Sequence, residues 1–138
     1  MLSSYPAAFF KEEGGYSVIF PDLNHLATCG ETLDEASAMA IDCLAGYLYT
    51  LRQDGETAPP PSRTGDIQLE ALAEGVPYDP EESFTTLVTV NVAEYARTHF
   101  ESSVKKAVTI PAWLNSAAAE RSIDLSQVLQ EALKLRLG

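Results

Sequence analysis

The feature that most constrains the fold is a short strand without a visible partner, in KKAVTIPAWL at residues 105–114. Residues 105–110 have the pattern of a strand, and Pro111 ends it because proline cannot continue a hydrogen-bonded ladder. Everything after Pro111 predicts helix, so no second strand lies nearby. An isolated strand leaves its backbone N–H and C=O groups unpaired, which is costly. The strand must therefore find its partner elsewhere.

Two helices are predicted behind this strand. The first begins at Pro111, which suits a first helical position, and runs to about Arg121. Asp124 or Ser126 caps the second, which ends near Leu137. The apolar residues of the second helix are Leu125, Val128, Leu129, Ala132, Leu133, Leu135 and Leu137. A unit of about 35 residues cannot bury so many, so the sequence predicts that a second copy covers them and pairs with the strand.

Side chains in the strand alternate between two faces. One face carries Lys105, Ala107 and Thr109, and the other carries Lys106, Val108 and Ile110. In an antiparallel pair of such strands above four helices, Val108 and Ile110 face the dimer core together with Leu129 and Leu133. A homodimer is therefore the smallest predicted assembly, and pairing of the N-terminal modules as well would give a tetramer.

The N-terminal module predicts three strands followed by a helix. Residues 5–10, 16–20 and 25–29 form the strands, separated by the turns KEEGG and PDLN. Thr32 caps the helix, with Glu35 placed to complete a capping box. The apolar stripe of this helix is Leu33, Ala36, Ala40, Cys43, Leu44, Tyr47, Leu48 and Leu51.

The helix should stop near Gly55, before a proline-rich loop. A short helix is predicted at 67–74, a fourth strand at 84–92 and a connection at 94–103. The fold class is therefore α+β, with a β-β-β-α-β module at residues 1–98 and a β-α-α module at 104–138.

Charge separates the two modules. Residues 1–100 hold four basic side chains against 16 acidic ones, a net −12, whereas residues 101–138 hold five against four, a net +1. The asymmetry predicts different partners for the two modules. An acidic surface that only keeps the protein soluble is the alternative.

Several classes of protein are excluded by composition. A hydrophobic fraction of 46% argues against disorder, and no apolar run reaches the roughly 18 residues of a membrane span. The start MLSSYPAAFF lacks the features of a secretory signal. Cys29 and Cys43 fit no metal motif, so we expect both to be buried thiols, with a cytoplasmic location and no metal or cofactor.

The C-terminal strand–helix–helix pattern resembles the ribbon-helix-helix family of DNA-binding proteins. The resemblance rests on a basic strand ending in TIP, a helix of about ten residues, and DLSQVL opening the next helix. It implies a two-stranded ribbon in the major groove of operator DNA. By this resemblance the DNA-binding side chains are Lys105, Ala107 and Thr109, and backbone amides near Leu125 and Ser126 hold a phosphate. Ala107 departs from a base-reading residue because it cannot hydrogen-bond a base.

The whole chain resembles the HicB-type antitoxins of type II toxin–antitoxin systems. VIFPDLNHLATCGETLDEASAMAIDCLAGYL carries the resemblance, with Asn24 and His25 standing where the family usually has Pro-Gly. The resemblance implies a truncated RNase H-like N-terminal fold that binds a small basic HicA toxin, a ribonuclease acting on mRNA. The C-terminal module would repress the shared operon. The acidic residues expected to contact the toxin are Asp22, Asp34 and Glu35.

Two other functions compete with this interpretation. A metal-dependent nuclease needs several converging carboxylates, but Asp34 and Glu35 have a sufficient role at a helix start and Asp22 lies in a turn. His25 and His99 lack a matching nucleophile or ligand set, so we predict no enzyme. The third class is an orphan ribbon-helix-helix repressor whose N-terminal module binds a small ligand or another protein.

Overall fold

The computed structural model describes residues 1–101 and 105–138. The chain divides into two compact units, Met1–Ser102 and Ser103–Gly138. The predicted start of the second domain, residue 104, lies outside the described residues. Within the described part of the chain, no helix combines the length and the apolar character that a membrane crossing requires.

The first unit is built on a four-stranded antiparallel sheet. Its strands are β1 (Ser3–Glu12), β2 (Gly15–Phe20), β3 (Leu26–Gly30) and β4 (Asp79–Val90), in the spatial order β3-β2-β1-β4. The mixed α+β class and the order of three strands, a helix and a fourth strand are confirmed. β3 begins one residue later than predicted because His25 adopts a left-handed backbone, φ +56°, as does Asn24 at +58°.

Helix α1 (Leu33–Gln53) follows β3 directly, and its ends obey the sequence signals. The backbone N–H of Glu35 donates to the Thr32 hydroxyl at 3.1 Å. The Glu35 carboxylate accepts from the N–H of Glu31 at 3.3 Å rather than from that of Thr32, so the capping box reaches one residue further back. At the other end Gly55, at φ +71°, closes the helix with the N–H of Glu56 donating to the carbonyl of Leu51.

One face of the sheet packs against α1 to form the core. The buried strand residues there are Tyr5, Ala7, Phe9, Val18, Phe20, Val88 and Val90, and those of the helix are Ala36, Ala40, Leu44, Ala45 and Leu48. Six of the eight predicted stripe residues lie against the core, four of them buried and Tyr47 and Leu51 partly buried. Leu33 is 41% exposed, and Ala45, which was not predicted, is fully buried.

The opposite, outer face of the sheet is also covered near its centre. Pro6, Ala8 and Phe10 of β1 point there and are buried. The connection between α1 and β4, which contains a 3-10 turn (Thr64–Asp66) and helix α2 (Leu69–Ala73), supplies Tyr78, whose ring lies 5.1 Å from that of Phe10. Burial on both faces explains why β1 is continuously apolar instead of alternating.

Helix α3 (Val92–His99) occupies the region predicted as a connection. Asn91 caps it by accepting from the N–H of Glu94 at 3.1 Å. Val92 and Ala96 are buried, and the Tyr95 hydroxyl donates to Asp42 on α1 at 2.8 Å. The prediction of strand to residue 92 is therefore wrong at its end, because Val92 already belongs to a helix that completes the first unit.

The second unit contains α4 (Ala112–Glu120) and α5 (Leu125–Leu137). Residues 105–110 adopt no regular secondary structure in the single chain, so the strand pairing with a second copy stays a prediction. Pro111 is the N-cap of α4 rather than its first helical residue, and Asp124 is the cap of α5. Ser122, at φ +54°, closes α4, with Ile123 N–H bonded to the carbonyl of Ala118.

Candidate functional site

The first unit concentrates carboxylates at one end of its sheet. β1 ends there, β2 begins, β3 ends and β4 begins, since Tyr16 pairs with Gly30 and Lys11 pairs with Asp79. The carboxylates at or beside these strand ends, here called the acidic edge, are Glu12, Glu13, Glu31, Asp34, Glu35, Asp79, Glu81 and Glu82. All of them except Glu12, which is half-buried, are exposed.

Lys11 is the basic residue of this region, and it does not neutralise the carboxylates. Its ammonium group donates to the backbone carbonyl of Glu12 at 3.1 Å and lies 5.6 Å from the Tyr16 ring centre. Among the described residues the one ion pair is Arg63 with Asp66, at 3.5 Å. With one lysine beside eight carboxylates, the acidic edge presents a net negative charge to solvent.

Of the three acidic residues predicted to contact a toxin, the structure brings two together. Asp34 and Glu35 lie in the first turn of α1, on the acidic edge. Asp22 lies in the turn before β3, at the other end of that strand, about 15 Å away for five residues of strand.

Asp22 has a structural partner of its own. Its carboxylate accepts from the backbone N–H of Ser62 at 2.8 Å and from the Ser62 hydroxyl. These bonds tie the proline-rich connection to the turn between β2 and β3. A toxin contact by Asp22 stays a prediction, but its carboxylate is already engaged.

The possible metal ligands and the environment of Cys43 bear on two kinds of catalytic group. No cluster of three or more His, Cys, Asp or Glu side chains there could hold a metal ion. Burial raises the pKa of the Cys43 thiol, and the charge of Asp42 raises it further, so Cys43 stays protonated at neutral pH. The Cys43 thiol donates to the carbonyl of Ala27 at 3.9 Å. The prediction that both thiols are buried is wrong, because Cys29 on the edge strand β3 is exposed and Cys43 is half-buried.

In the second unit, the residues predicted to face DNA are all exposed. Lys105, Ala107 and Thr109 are open to solvent. The Asp124 carboxylate, however, accepts from the backbone N–H groups of Ser126 and Gln127 at 3.0 and 3.2 Å. A phosphate bound to the backbone N–H of Ser126 would have to share it with the negatively charged Asp124 carboxylate. The Asp124 carboxylate does not accept from the N–H of Leu125 in these two hydrogen bonds.

The apolar side chains of the second unit lack cover. None of residues 105–138 is buried in the single chain. The predicted dimer core is exposed, with Val108 at 65%, Leu129 at 40% and Leu133 at 51%, and Ile110 is half-buried. Trp113 is 71% exposed, and sequence reasoning did not single it out. It could have been noticed because it is a large aromatic residue in a small unit.

Comparisons with known proteins place the chain among antitoxins. The family model described as "HicB_like antitoxin of bacterial toxin-antitoxin system" matches residues 5–133. "Antitoxin HicB 2" and "Antitoxin HicB 1" of Photorhabdus laumondii subsp. laumondii are 38% identical over 69 residues and 43% identical over 59 residues. Those matches cover 50% and 43% of this chain, and 50% and 38% of the respective relatives.

A solved structure, "Toxin-Antitoxin complex from Streptococcus pneumoniae", is similar over a longer range. It covers 99% of this chain and 99% of its own, with 30% sequence identity and a TM-score of 0.66. The similarity therefore extends to both units.

Proposed function

This chain belongs to the HicB-like antitoxin family of bacterial toxin–antitoxin systems, and we propose that its two units divide the work of such a protein. The first unit, a partial RNase H-like fold, binds and neutralises a small basic HicA-type toxin that cleaves mRNA. The second unit forms a homodimeric ribbon-helix-helix that binds operator DNA and represses the operon. Both activities belong to the bacterial cytoplasm.

The observation that carries the toxin-binding half is the acidic edge. Eight carboxylates meet at one end of the sheet, and Lys11 is turned toward a backbone carbonyl. Such a surface attracts a cationic protein, because complementary potentials speed encounter and select the partner. The unit also has its own buried core, from Tyr5 on β1 to Val92 on α3, so it can present this surface without the second unit.

A truncation tests the division of labour. A chain that stops at Glu101 retains α3 and the complete core of the first unit. We expect it to remain folded by circular dichroism, to bind the cognate toxin, and to restore growth to cells that express the toxin. It should not shift operator DNA. A folded truncation that fails to bind the toxin would show that the first unit is not the neutralising part.

The DNA-binding half is supported by the exposed apolar residues of the second unit. Val108, Leu129 and Leu133 are 40–65% exposed in the single chain, and a second copy would cover them. Pairing of residues 105–110 from two chains would also satisfy the backbone groups of that segment. The direct test measures the mass of the protein by light scattering and its affinity for the upstream operator by gel shift. A monomer that binds the operator would contradict the proposed two-chain ribbon.

A further inference from the structure

The outer face of the sheet carries a small, partly open depression that the acidic surface does not explain. It measures about 200 Å³ and lies between the sheet and the segment around α2. Its apolar walls come from Phe10, Ile19 and Ala27 of the sheet and from Leu72, Val76 and Tyr78 of the connection. Val76 is 56% exposed, so an apolar side chain at the rim of the depression is accessible to a partner.

Glu12 links this apolar depression to the acidic edge. The same side chain lines two neighbouring depressions, one shared with Glu13, Asp79 and Glu82 and the other with Glu31 and Glu35. The apolar depression thus borders the carboxylates of the acidic edge on the side of Glu12. An apolar centre next to polar and charged residues is the arrangement found in protein interfaces.

The size of the depression identifies the kind of occupant. Small-molecule sites usually measure about 300–1,000 Å³, whereas a cavity of about 150 Å³ accepts one benzene ring. About 200 Å³ therefore suits a single apolar side chain. Polar side chains also line the depression, namely Glu12, Ser17 and Thr28, so its size rather than its polarity favours an apolar side chain as the occupant.

From these observations we propose that this depression is the anchor point for the toxin, receiving one apolar side chain that is flanked by Lys or Arg on the toxin surface. The inference rests on the proposed function, because the occupant is the same cationic partner. The carboxylates around Glu12 steer the toxin and pair with its basic residues, while the depression holds the complex together by excluding water from the anchor. Steering governs mainly association, and a buried anchor governs mainly dissociation.

Two substitutions test the anchor, measured with the full-length chain and a catalytically inactive form of the cognate toxin. Ala27→Phe fills the depression from an exposed position on β3, where an aromatic residue is tolerated. Val76→Ser removes the exposed apolar side chain at the rim without creating a cavity in the core. Each should raise the dissociation rate by about thirtyfold, the loss expected for one anchor residue, and leave the association rate nearly unchanged.

The chain offers matched controls for the change in dissociation rate and for the change in association rate. Leu87 is 55% exposed on the same face of the sheet, but it pairs with Pro6, about 13 Å along β1 from Phe10. Leu87→Ser should dissociate like the parent. Glu12→Gln should slow association with the toxin at low salt, and this effect should disappear at high salt. Glu56 lies beyond the far end of α1, so Glu56→Gln should leave the association rate unchanged at either salt concentration.

The outcomes separate this inference from the proposed function. If the parent chain does not bind the toxin, the proposed function fails. If the parent binds and both Ala27→Phe and Val76→Ser, shown to be folded by circular dichroism, dissociate like the parent, the anchor assignment is wrong and the antitoxin function stands. If Leu87→Ser weakens binding as much as Val76→Ser, the apolar contact is spread over the face and the depression is not the anchor.

Discussion

Gly30 is the position at which one added methyl group should most disturb the first unit. It ends β3, directly below the first turn of α1. A Cβ at this position would lie 2.4 Å from the backbone nitrogen of Ala36 and 2.8 Å from its Cα. These atoms belong to the helix backbone, so no side-chain rotation can relieve the clash.

The magnitude follows from those distances. Ordinary contacts begin near 3.4 Å, so α1 must retreat by about 1 Å. Overpacking of this kind costs roughly 1–3 kcal/mol, and a gap of about 1 Å forfeits up to half of the dispersion energy of the contacts that it opens. Because Ala36 and Ala40 are fully buried, we expect Gly30→Ala to destabilise the first unit by about 3 kcal/mol, or roughly 12–24 °C in Tm.

The two units carry separate spectroscopic probes. The six tyrosines, from Tyr5 to Tyr95, belong to the first unit, and the single tryptophan, Trp113, belongs to the second. Thermal unfolding of the full chain, followed by tyrosine near-UV dichroism and by tryptophan fluorescence, therefore assigns a loss to one unit. Gly30→Ala should lower the tyrosine transition and leave the tryptophan transition in place.

Gly14→Ala is the matched control, because nothing lies within 4 Å of a Cβ at that position. It should change the tyrosine transition by less than about 0.5 kcal/mol, as ordinary surface substitutions do. If Gly30→Ala behaves like Gly14→Ala, the helix does not sit as close to β3 as the argument requires.

Four further substitutions probe the second unit. Ser122→Gly relieves a left-handed backbone that costs a non-glycine residue about 1 kcal/mol, so the midpoint of the Trp113 transition should rise; a lower midpoint would refute this reasoning. Thr109→Ala should keep the dimer mass and weaken operator binding by roughly 1–3 kcal/mol, whereas Ile110→Asp buries an unpaired charge in the proposed core and should abolish dimer and DNA binding together. A dimeric, DNA-binding Ile110→Asp chain would mean that the ribbon is wrongly assigned. Asp124→Asn keeps the cap of α5 but removes a negative charge beside the predicted phosphate site, so gel-shift affinity should improve by about 0.5–1 kcal/mol; no change would place the phosphate elsewhere.

Local signals predicted most of the first unit correctly. Short apolar runs, turn residues and the Thr32 cap located β1 to β3 and α1 to within a few residues. Helix α3 was missed because its cap, Asn91, lies inside a β-branched run that continues the pattern of β4. The signal was present, since Val92, Tyr95 and Ala96 recur at helical spacing behind a capping residue.

The acidic edge could not be predicted residue by residue, because it depends on strand pairing. Glu12 and Asp79 approach each other only when β4 crosses over to lie beside β1. Sequence reasoning found Asp34 and Glu35 from the helix start and grouped them with Asp22, which the fold places at the other end of β3. For residues 105–110, the single chain contains no partner strand with which the prediction could be compared.

No residue between positions 105 and 138 is buried in the single chain, and this affects how the proposed activities depend on the concentration of the chain. If the DNA-binding unit needs two chains, then below the dimer dissociation constant its concentration follows the square of the chain concentration. Halving the supply of chain would lower operator-bound dimer about fourfold, but toxin-binding capacity, which we propose for the first unit with its own core, only about twofold. Repression would therefore fall by a larger factor than toxin-binding capacity, so transcription of fresh antitoxin would respond more steeply than toxin binding to a loss of chain. A gel-shift titration at low chain concentration should show this second-order dependence, and a first-order curve would rule it out.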